Sequence, residues 1–547
     1  MNILLNDNNN GWASILESEG ILNIISNYMM LDDISTKEKN ILIYCDKEEG
    51  SNHSYLLEIM KFISKGNVLI AEHTILTIIS RLHQIEYIKH NTNYHAKDFS
   101  TLSSSCNASN AKFYSARLDN GLVIGIINNL DGYWSCSKKA IKSISIDQEG
   151  MKTANETLSM VAKGNIRRYV MRCLLMAAQH LHEPLVSLWK FPEDYRSVFN
   201  LRIDVDPEKN SDEEMSMRHI DKTFEMAKPY NDQVSFFINL YRWVPNYRFF
   251  EKYKKYNFDI QSHNFFHCLY PSYAQNLLNF ERAHSILSNS GINVKGFVAP
   301  EYFWYDHTSD LLEKHGYSYS HSFGFDYNNY PYKPLVAGKI RKYFEVPCCP
   351  LVYSKFKGSN GKIEISNIIS YYTQLMDAKI KSLGEPCLKY EHPAILGRYP
   401  EIFKGIIEFS NFHKDVKNVT LTRWVEWLQK RNSLLKRISI NYVGNGINNG
   451  SVVVTTQKSS GLGEFGVAIQ YDEDKVYVKR LLPRTMQKIK IKTECKIYKS
   501  KMGYSLLGRT IYNPNEKVIN AFRSRRHLKK LISNYMLFYK YKIVSRP

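Results

Sequence analysis

A chain of 547 residues, 44% of them hydrophobic, has material for two or three domains that each bury a core. Its formal charge of +20 points to anionic partners such as phosphorylated sugars, acidic lipid surfaces or nucleic acid, although a coding preference for Lys, Asn, Ile and Tyr would leave the same excess. No run approaches the roughly 18 apolar residues of a membrane span, Met1–Trp12 has no signal-peptide pattern, and the nine cysteines show no CxxC spacing. These features predict a cytoplasmic protein with reduced thiols, at most peripheral at the inner face of the membrane.

Residues 1–184 read as an N-terminal α/β sandwich domain with an accessory or recognition role. Strands are expected at Ile41–Tyr44, Val68–Ile70 and Leu122–Ile127, with a helix near Tyr55–Ser64 and a turn at Asp131-Gly132. Ile166, Val170, Cys173, Leu174, Ala177 and Leu181 recur at helical spacing and predict a long buried-faced helix. Neither GxGxxG nor a P-loop occurs here, so no nucleotide site is expected.

Residues 185–432 alternate strand-like and helix-like runs. Strands are predicted at Leu201–Val205, Val234–Asn239, Phe258–Ser262, Lys295–Ala299, Tyr317–Ser320, Phe344–Pro347 and Cys387–Glu391, with Met217, Ile220, Phe224 and Ala227 striping one intervening helix. Seven such strands imply a (β/α) barrel, whose sites form at the C-terminal strand ends. Asp204, Asp206, His263, Pro300 and His392 all fall there. Residues 433–510 carry turn signals and short strands at Ser451–Thr456, Gly466–Gln470 and Lys475–Lys479, predicting a small C-terminal β-sandwich. The tail, 511–547, is basic: from Glu516 on it has nine Lys or Arg against that one acid. Its imperfect apolar face suits a helix lying on an anionic bilayer, or equally one packed on the β domain.

Three short motifs carry chemistry. In Arg202-Ile203-Asp204-Val205-Asp206 the two carboxylates project to one strand face, where a cation would relieve their repulsion. His263 and His267 share a face if a helical turn starts at His263, and two imidazoles can then grip one metal ion. His392 ends the last strand and suits a general acid near neutral pH. One aspartate and two histidines leave open coordination positions, as a catalytic zinc site requires.

Between about Ser187 and Gln429 these motifs resemble the polysaccharide deacetylase (NodB-homology, carbohydrate esterase family four) domain. The RIDVD form is similar to that of deformylases acting on undecaprenyl-phosphate aminoarabinose. The resemblance implies a distorted (β/α)7 barrel and a divalent metal, zinc by preference, on Asp206, His263 and His267. It makes Asp204 the base and His392 the family's last histidine. Val298-Ala299-Pro300 corresponds to the third motif, with Tyr302, Phe303 and Trp304 following, and 317–331 to the fourth region with Asp326. Pro300, Tyr302, Trp304 and Asp326 are accordingly expected at the substrate, the aromatics as a platform for a sugar ring or else as plain core.

Two positions depart from that pattern. Val298 stands where the family carries an arginine that holds the catalytic aspartate, a duty that Arg202 or another cation would have to assume. Asn264 replaces the Ser or Thr common after the first histidine. The implied activity is removal of an N-acyl group, acetyl or formyl, from a sugar of surface polysaccharide or glycolipid assembly, nucleotide- or lipid-phosphate-linked. The rival is a glycan-binding protein without turnover. With no zinc-finger spacing or RNP-like aromatic motif, nucleic acid is not an expected partner.

Overall fold

The computed structural model describes the chain except 6–9, 23, 27–30, 32–38, 45–52, 84–87, 96–109, 127–129, 138, 147–151, 160, 162, 207–212, 242–251, 254, 323–329, 349–351, 353–355, 358–363, 384, 445–448, 500–509, 512–518, 521–527, 530–531, 534, 537–538 and 540–547. Its N-terminal part is a seven-stranded sheet in the spatial order 24–26, 2–5, 40–44, 68–72, 121–126, 110–118, 88–95. The first five strands are parallel and the last two are added antiparallel. Strand Asn40–Tyr44 is buried throughout because both faces are covered. Ile41 and Ile43 enter a core with Trp12, Ile15 and helix Lys163–His180. Leu42 and Tyr44 enter a second core with helices His53–Ser64 and His73–His83. The result is three layers. The expected turn at Asp131-Gly132 is instead a short helix, Leu130–Ser135, because Leu130 and Trp134 sit one helical turn apart and both bury.

The second unit is one parallel sheet with helices. Its strands are β1 (Ser197–Val205), β2 (Val234–Ile238), β3 (Asp259–Ser262), β4 (Gly296–Phe297), β5 (Tyr319–Ser320), β6 (Phe344–Glu345), β7 (Cys387–Glu391) and β8 (Val416–Asn418). The order across the sheet is β6-β5-β4-β3-β2-β1-β7, and β8 pairs with the first residues of β1. All seven expected strands are present; β8 is additional, its three residues too short to register as a pattern. In β1 the odd residues Phe199, Leu201, Ile203 and Val205 pack outward with Ile220, Phe224 and Ala227 of helix α1 (Glu213–Ala227). Arg202 and Asp204 therefore face the other side.

The sheet is strongly curled, and one contact demonstrates it. Arg202 on β1 hydrogen-bonds the carbonyl of His321, just past β5, at 2.7 Å. Four strand spacings of about 4.8 Å would hold these residues roughly 19 Å apart in a flat sheet. Tyr302, Cys348, Val352 and Tyr390 form a small buried cluster inside the curl, joining segments near both edges. Gly296 is needed where it stands, because a Cβ there would meet the Tyr319 ring at 2.2 Å. The α/β barrel architecture expected from the strand–helix alternation is thus formed, as an open, curled sheet.

The C-terminal strands build two antiparallel sheets, 438–443/451–456/486–490 and 185–188/466–470/475–480/496–499. They share a core with Trp424 and Leu428 of helix Leu421–Leu435. The second sheet takes its edge strand from Leu185–Leu188, so the chain touches this β unit before the barrel and returns to it afterwards. Arg167 of the N-terminal unit, 2% exposed, bridges Glu19 at 2.6 Å and Glu385, just before β7, at 3.2 Å. That buried pairing fixes the first unit on the barrel. No described helix is long and apolar enough to cross a membrane.

Candidate active site

The strand-end residues converge as the curl requires. Asp206 leaves β1 within 3.2 Å of His263 Nε2 and 3.0 Å of His267 Nε2. The two imidazole Nε2 atoms lie 3.1 Å apart. Donor atoms of Asp206, His263 and His267 all fall within 4.8 Å of one another. The helical turn that would have paired the histidines is absent, and residues 265–268 form bends. Asn264 turns the chain instead, adopting a left-handed φ of 69° and donating from its side-chain amide to the Cys268 carbonyl at 3.1 Å. Asn tolerates that conformation far better than a β-branched residue, which accounts for its presence here. Asn279 of helix α2 (Tyr273–Asn289) pins the same loop, accepting from Phe266 N at 2.7 Å and donating to Cys268 O at 3.0 Å.

The donor set suits a divalent cation. His263 Nδ1 lies 2.9 Å from the Val298 carbonyl, an acceptor only, so Nδ1 carries the hydrogen and Nε2 presents its lone pair to the cluster. This is the arrangement by which an outer hydrogen bond orients an imidazole ligand. Burial raises the Asp206 carboxyl, but His267 and His263 outweigh it and hold Asp206 well below the usual carboxylate range. Burial likewise disfavours charge on His263, and Asp206 overcomes it, raising the imidazole above its ordinary value. The carboxylate therefore draws positive charge into the cluster, whether as protons or as a metal ion.

Val298 contributes its backbone, and its side chain packs in the core. The arginine duty falls to Arg202. Fully buried, Arg202 donates to Asp204 Oδ2 at 2.8 Å, to the Tyr302 hydroxyl at 2.6 Å and to the His321 carbonyl at 2.7 Å. Its guanidinium lies 4.5 Å from the Tyr390 ring centroid. Burial disfavours the guanidinium charge, yet Asp204 dominates and raises its pKa. Asp204 is 3% exposed, and its Oδ1 has no hydrogen-bond partner among the described residues. One carboxylate oxygen is thus held by arginine and the other remains able to accept a proton.

His392 stands across the cluster, Nε2 3.7 Å from Asp206 Oδ2. Burial lowers its pKa, but the Glu391 hydrogen bond, Asp206, Glu391 and Asp204 raise it to about 9. Glu391 reaches His392 Nδ1 at 3.4 Å and is itself 1% exposed. Among the residues that sequence reasoning assigned no role, Glu391, His321 and Glu345 stand out. His321 is fully buried; burial and Arg202 hold its imidazole well below its ordinary pKa. Glu345 Oε1 accepts from Ser322 N at 2.9 Å, supporting the loop that carries His321. The Arg202–His321 link crosses the curled sheet and Glu345 meets Ser322 by strand pairing, so no local motif could have signalled these two; Glu391 is the sequence neighbour of His392.

The aromatic run is buried, which favours the core alternative over the platform. Trp304 is 3% exposed in the barrel core, Phe303 is 5% exposed, and Pro300 is buried at the start of a tight turn. Tyr302, 7% exposed, offers its hydroxyl to Arg202 and accepts from the Cys348 thiol at 3.1 Å. Apolar transfer and the internal hydroxyl partners favour burial over display to a ligand. Asp326 lies outside the described residues.

No protein-family model matches the chain, and no curated protein matches its sequence. Solved structures do resemble it. A Mycobacterium smegmatis protein assigned as a polysaccharide deacetylase matches at 17% identity, covering 45% of this chain and 94% of its own, with a TM-score of 0.38. A Pseudomonas aeruginosa protein assigned likewise matches at 14% identity, over 43% and 92% of the two chains, with a TM-score of 0.35. A carbohydrate esterase family 4 pseudoenzyme from Bacillus anthracis matches at 12% identity, over 43% and 68%, with a TM-score of 0.27. These neighbours are of the kind that the motifs resemble, and the chemical reading rests on the site itself.

Proposed function

We propose that this site hydrolyses an N-acyl group, acetyl or formyl, from an amino sugar that belongs to surface polysaccharide or glycolipid assembly. The observation that carries the reading is the lone pair of His263 Nε2 aimed, beside His267 and Asp206, at a point flanked by an arginine-held aspartate and by His392. Asp206, His263 and His267 would hold a divalent cation, zinc by preference. Bound there, it supplies Lewis-acid polarisation of an acyl carbonyl and acidifies water.

The protein's own groups then have separable tasks. Asp204, oriented by Arg202, accepts the proton of the attacking water on Oδ1. Arg202 orients that carboxylate and also donates to Tyr302 and His321, so it stays in place during turnover. His392, its pKa raised by the Glu391 hydrogen bond among other neighbours, donates to the departing amine. The +20 charge supports an anionic substrate, and a sugar carrying a nucleotide or lipid phosphate fits it.

The test is release of acetate or formate from acylated amino sugars by metal-stripped protein resupplied with zinc or cobalt. The Asp204→Asn protein should retain substrate affinity and lose turnover by a factor on the order of 10³. Full activity of a His263→Ala protein would overturn the scheme, as would the absence of acyl release from every phosphate-bearing acyl sugar tried.

A further inference from the structure

The basic tail is attached at the rim of the site. Its described residues Leu528, Lys529, Ile532, Ser533, Tyr535, Met536 and Tyr539 are helical. Tyr535 packs on the barrel core, its ring edge-on to Tyr270 at 5.4 Å. Tyr270 follows the metal-ligand loop by three residues, so the tail helix grips the wall that carries His267.

Four other described hydrophobic residues of the tail are exposed. Leu528 is 59% exposed, Ile532 58%, Met536 69% and Tyr539 55%. At 100° per residue these four positions span only about 80° of the helix circumference. They form one apolar stripe with Tyr535 at its edge. From Glu516 onward the tail has nine Lys or Arg, and no acidic residue follows Glu516.

We propose that this helix docks the protein on an anionic lipid bilayer. An exposed Leu/Ile/Met stripe matches acyl chains, and the basic sequence of the tail matches acidic headgroups. A nucleic acid would use the charges and leave the aliphatic stripe unsatisfied. A second copy of this basic tail would bring like charges together. Docking stands independently of the acyl hydrolysis. Its consequence, presentation of the mouth beside His267 to a lipid-anchored sugar, rests on that reading.

The experiment is co-sedimentation of the full chain with vesicles of phosphatidylcholine, with and without about one-third phosphatidylglycerol. Binding should require the anionic lipid and weaken with salt. The Ile532→Glu/Met536→Glu protein, altered only at solvent-exposed positions, should lose at least about tenfold in partition. Lys529→Glu alone should lose about fivefold or more. Unchanged binding by both variants, equal binding to neutral vesicles, or binding of an unstructured RNA in place of vesicles would overturn the proposal. So would concentration-dependent dimerisation that the double variant abolishes without any vesicle binding by the parent. Sedimentation is read without turnover, so failed docking and failed acyl release are separate results.

Discussion

Replacing Arg202 by Met is the sharpest probe of how the site is held. The guanidinium and the Asp204 carboxylate are both almost wholly buried and meet at 2.8 Å, which puts their charge centres roughly 4 Å apart. At an effective dielectric near 20 that separation is worth about 4 kcal/mol. Removing one partner of such a pair costs about 3–5 kcal/mol, because the remaining charge is buried without compensation. Met preserves the apolar stem, so the loss measures charge and hydrogen bonding more than cavity formation. Arg202→Met should therefore lower stability to urea by about 3–5 kcal/mol, whereas the Arg202→Met/Asp204→Asn double variant should recover about half of it. The double-mutant cycle, run by urea denaturation with tryptophan fluorescence, should give a coupling of about 2–4 kcal/mol. A coupling under about 0.5 kcal/mol would refute the claim that Arg202 supports Asp204. Arg202→Lys extends the test to chemistry. A point charge cannot serve Asp204, Tyr302 and His321 together, so kcat should fall at least about tenfold with KM little changed.

The remaining expectations concern the ligands, the loop and the packing of the units. Zinc or cobalt at about 100 times its dissociation constant should stabilise the protein by about 2.7 kcal/mol, read as a rise in Tm. Asp206→Ala and His263→Ala should abolish the rise, and a parental response in either would exclude that ligand. Asn264→Val should cost about 1–2 kcal/mol for its left-handed backbone plus about 1 kcal/mol for the lost bond to Cys268, while Asn264→Gly should cost less; comparable urea midpoints for the two would dismiss the backbone argument. Burial raises the Glu19 carboxyl, but Lys190, Arg167 and Arg431 bring it below its ordinary value of 4.5. A depressed carboxyl stabilises the fold above that unfolded value, and the contribution disappears as pH falls through the lower folded value. Glu19→Gln should thus flatten the acid side of the stability profile below about pH 4.5, and an unaltered slope would remove Glu19 from the account.

What was legible in the sequence followed from period and position. The alternation along Arg202-Ile203-Asp204-Val205-Asp206 put Asp204 and Asp206 on one strand face and left Arg202 or another cation to hold Asp204; the ion pair selects Arg202. The seven strand runs and the stripe Ile220, Phe224, Ala227 were visible because each element buries one face in its own period. The histidine pair was found by spacing, though the helical reason for it fails: a left-handed Asn264, not a helical turn, brings His267 back to His263. Tyr302 and Trp304 show the opposite failure. An aromatic run beside a strand end has the same composition whether it faces a ligand or the core, and only the path of the chain decides. His321 was opaque because only the curled sheet brings it to Arg202, and Glu345 because strand pairing sets it beside Ser322; Glu391 stands next to His392 in the sequence, but adjacency alone does not show that its carboxylate turns onto the imidazole.

That path is bent by a costly turn. Glu301 and Tyr302 are consecutive non-glycine residues with φ of 55° and 57°, each about 1–2 kcal/mol above an ordinary backbone. The turn directs the Tyr302 hydroxyl inward onto Arg202 and sets its ring edge-on to Tyr390 at 5.5 Å. A charged hydrogen bond contributes about 1.5–3 kcal/mol and an aromatic pair about 0.5–1.5 kcal/mol, enough together to offset the strain. Backbone strain immediately after β4 is therefore exchanged for a rigid Arg202, and Arg202 for a fixed Asp204. An arginine placed at 298 would approach the aspartate from the end of β4, three strands away across the curl. Here the cation comes from β1 itself, two residues before its partner. The tight turn, the tyrosine and the His321 carbonyl are then the parts that keep the cation from swinging away.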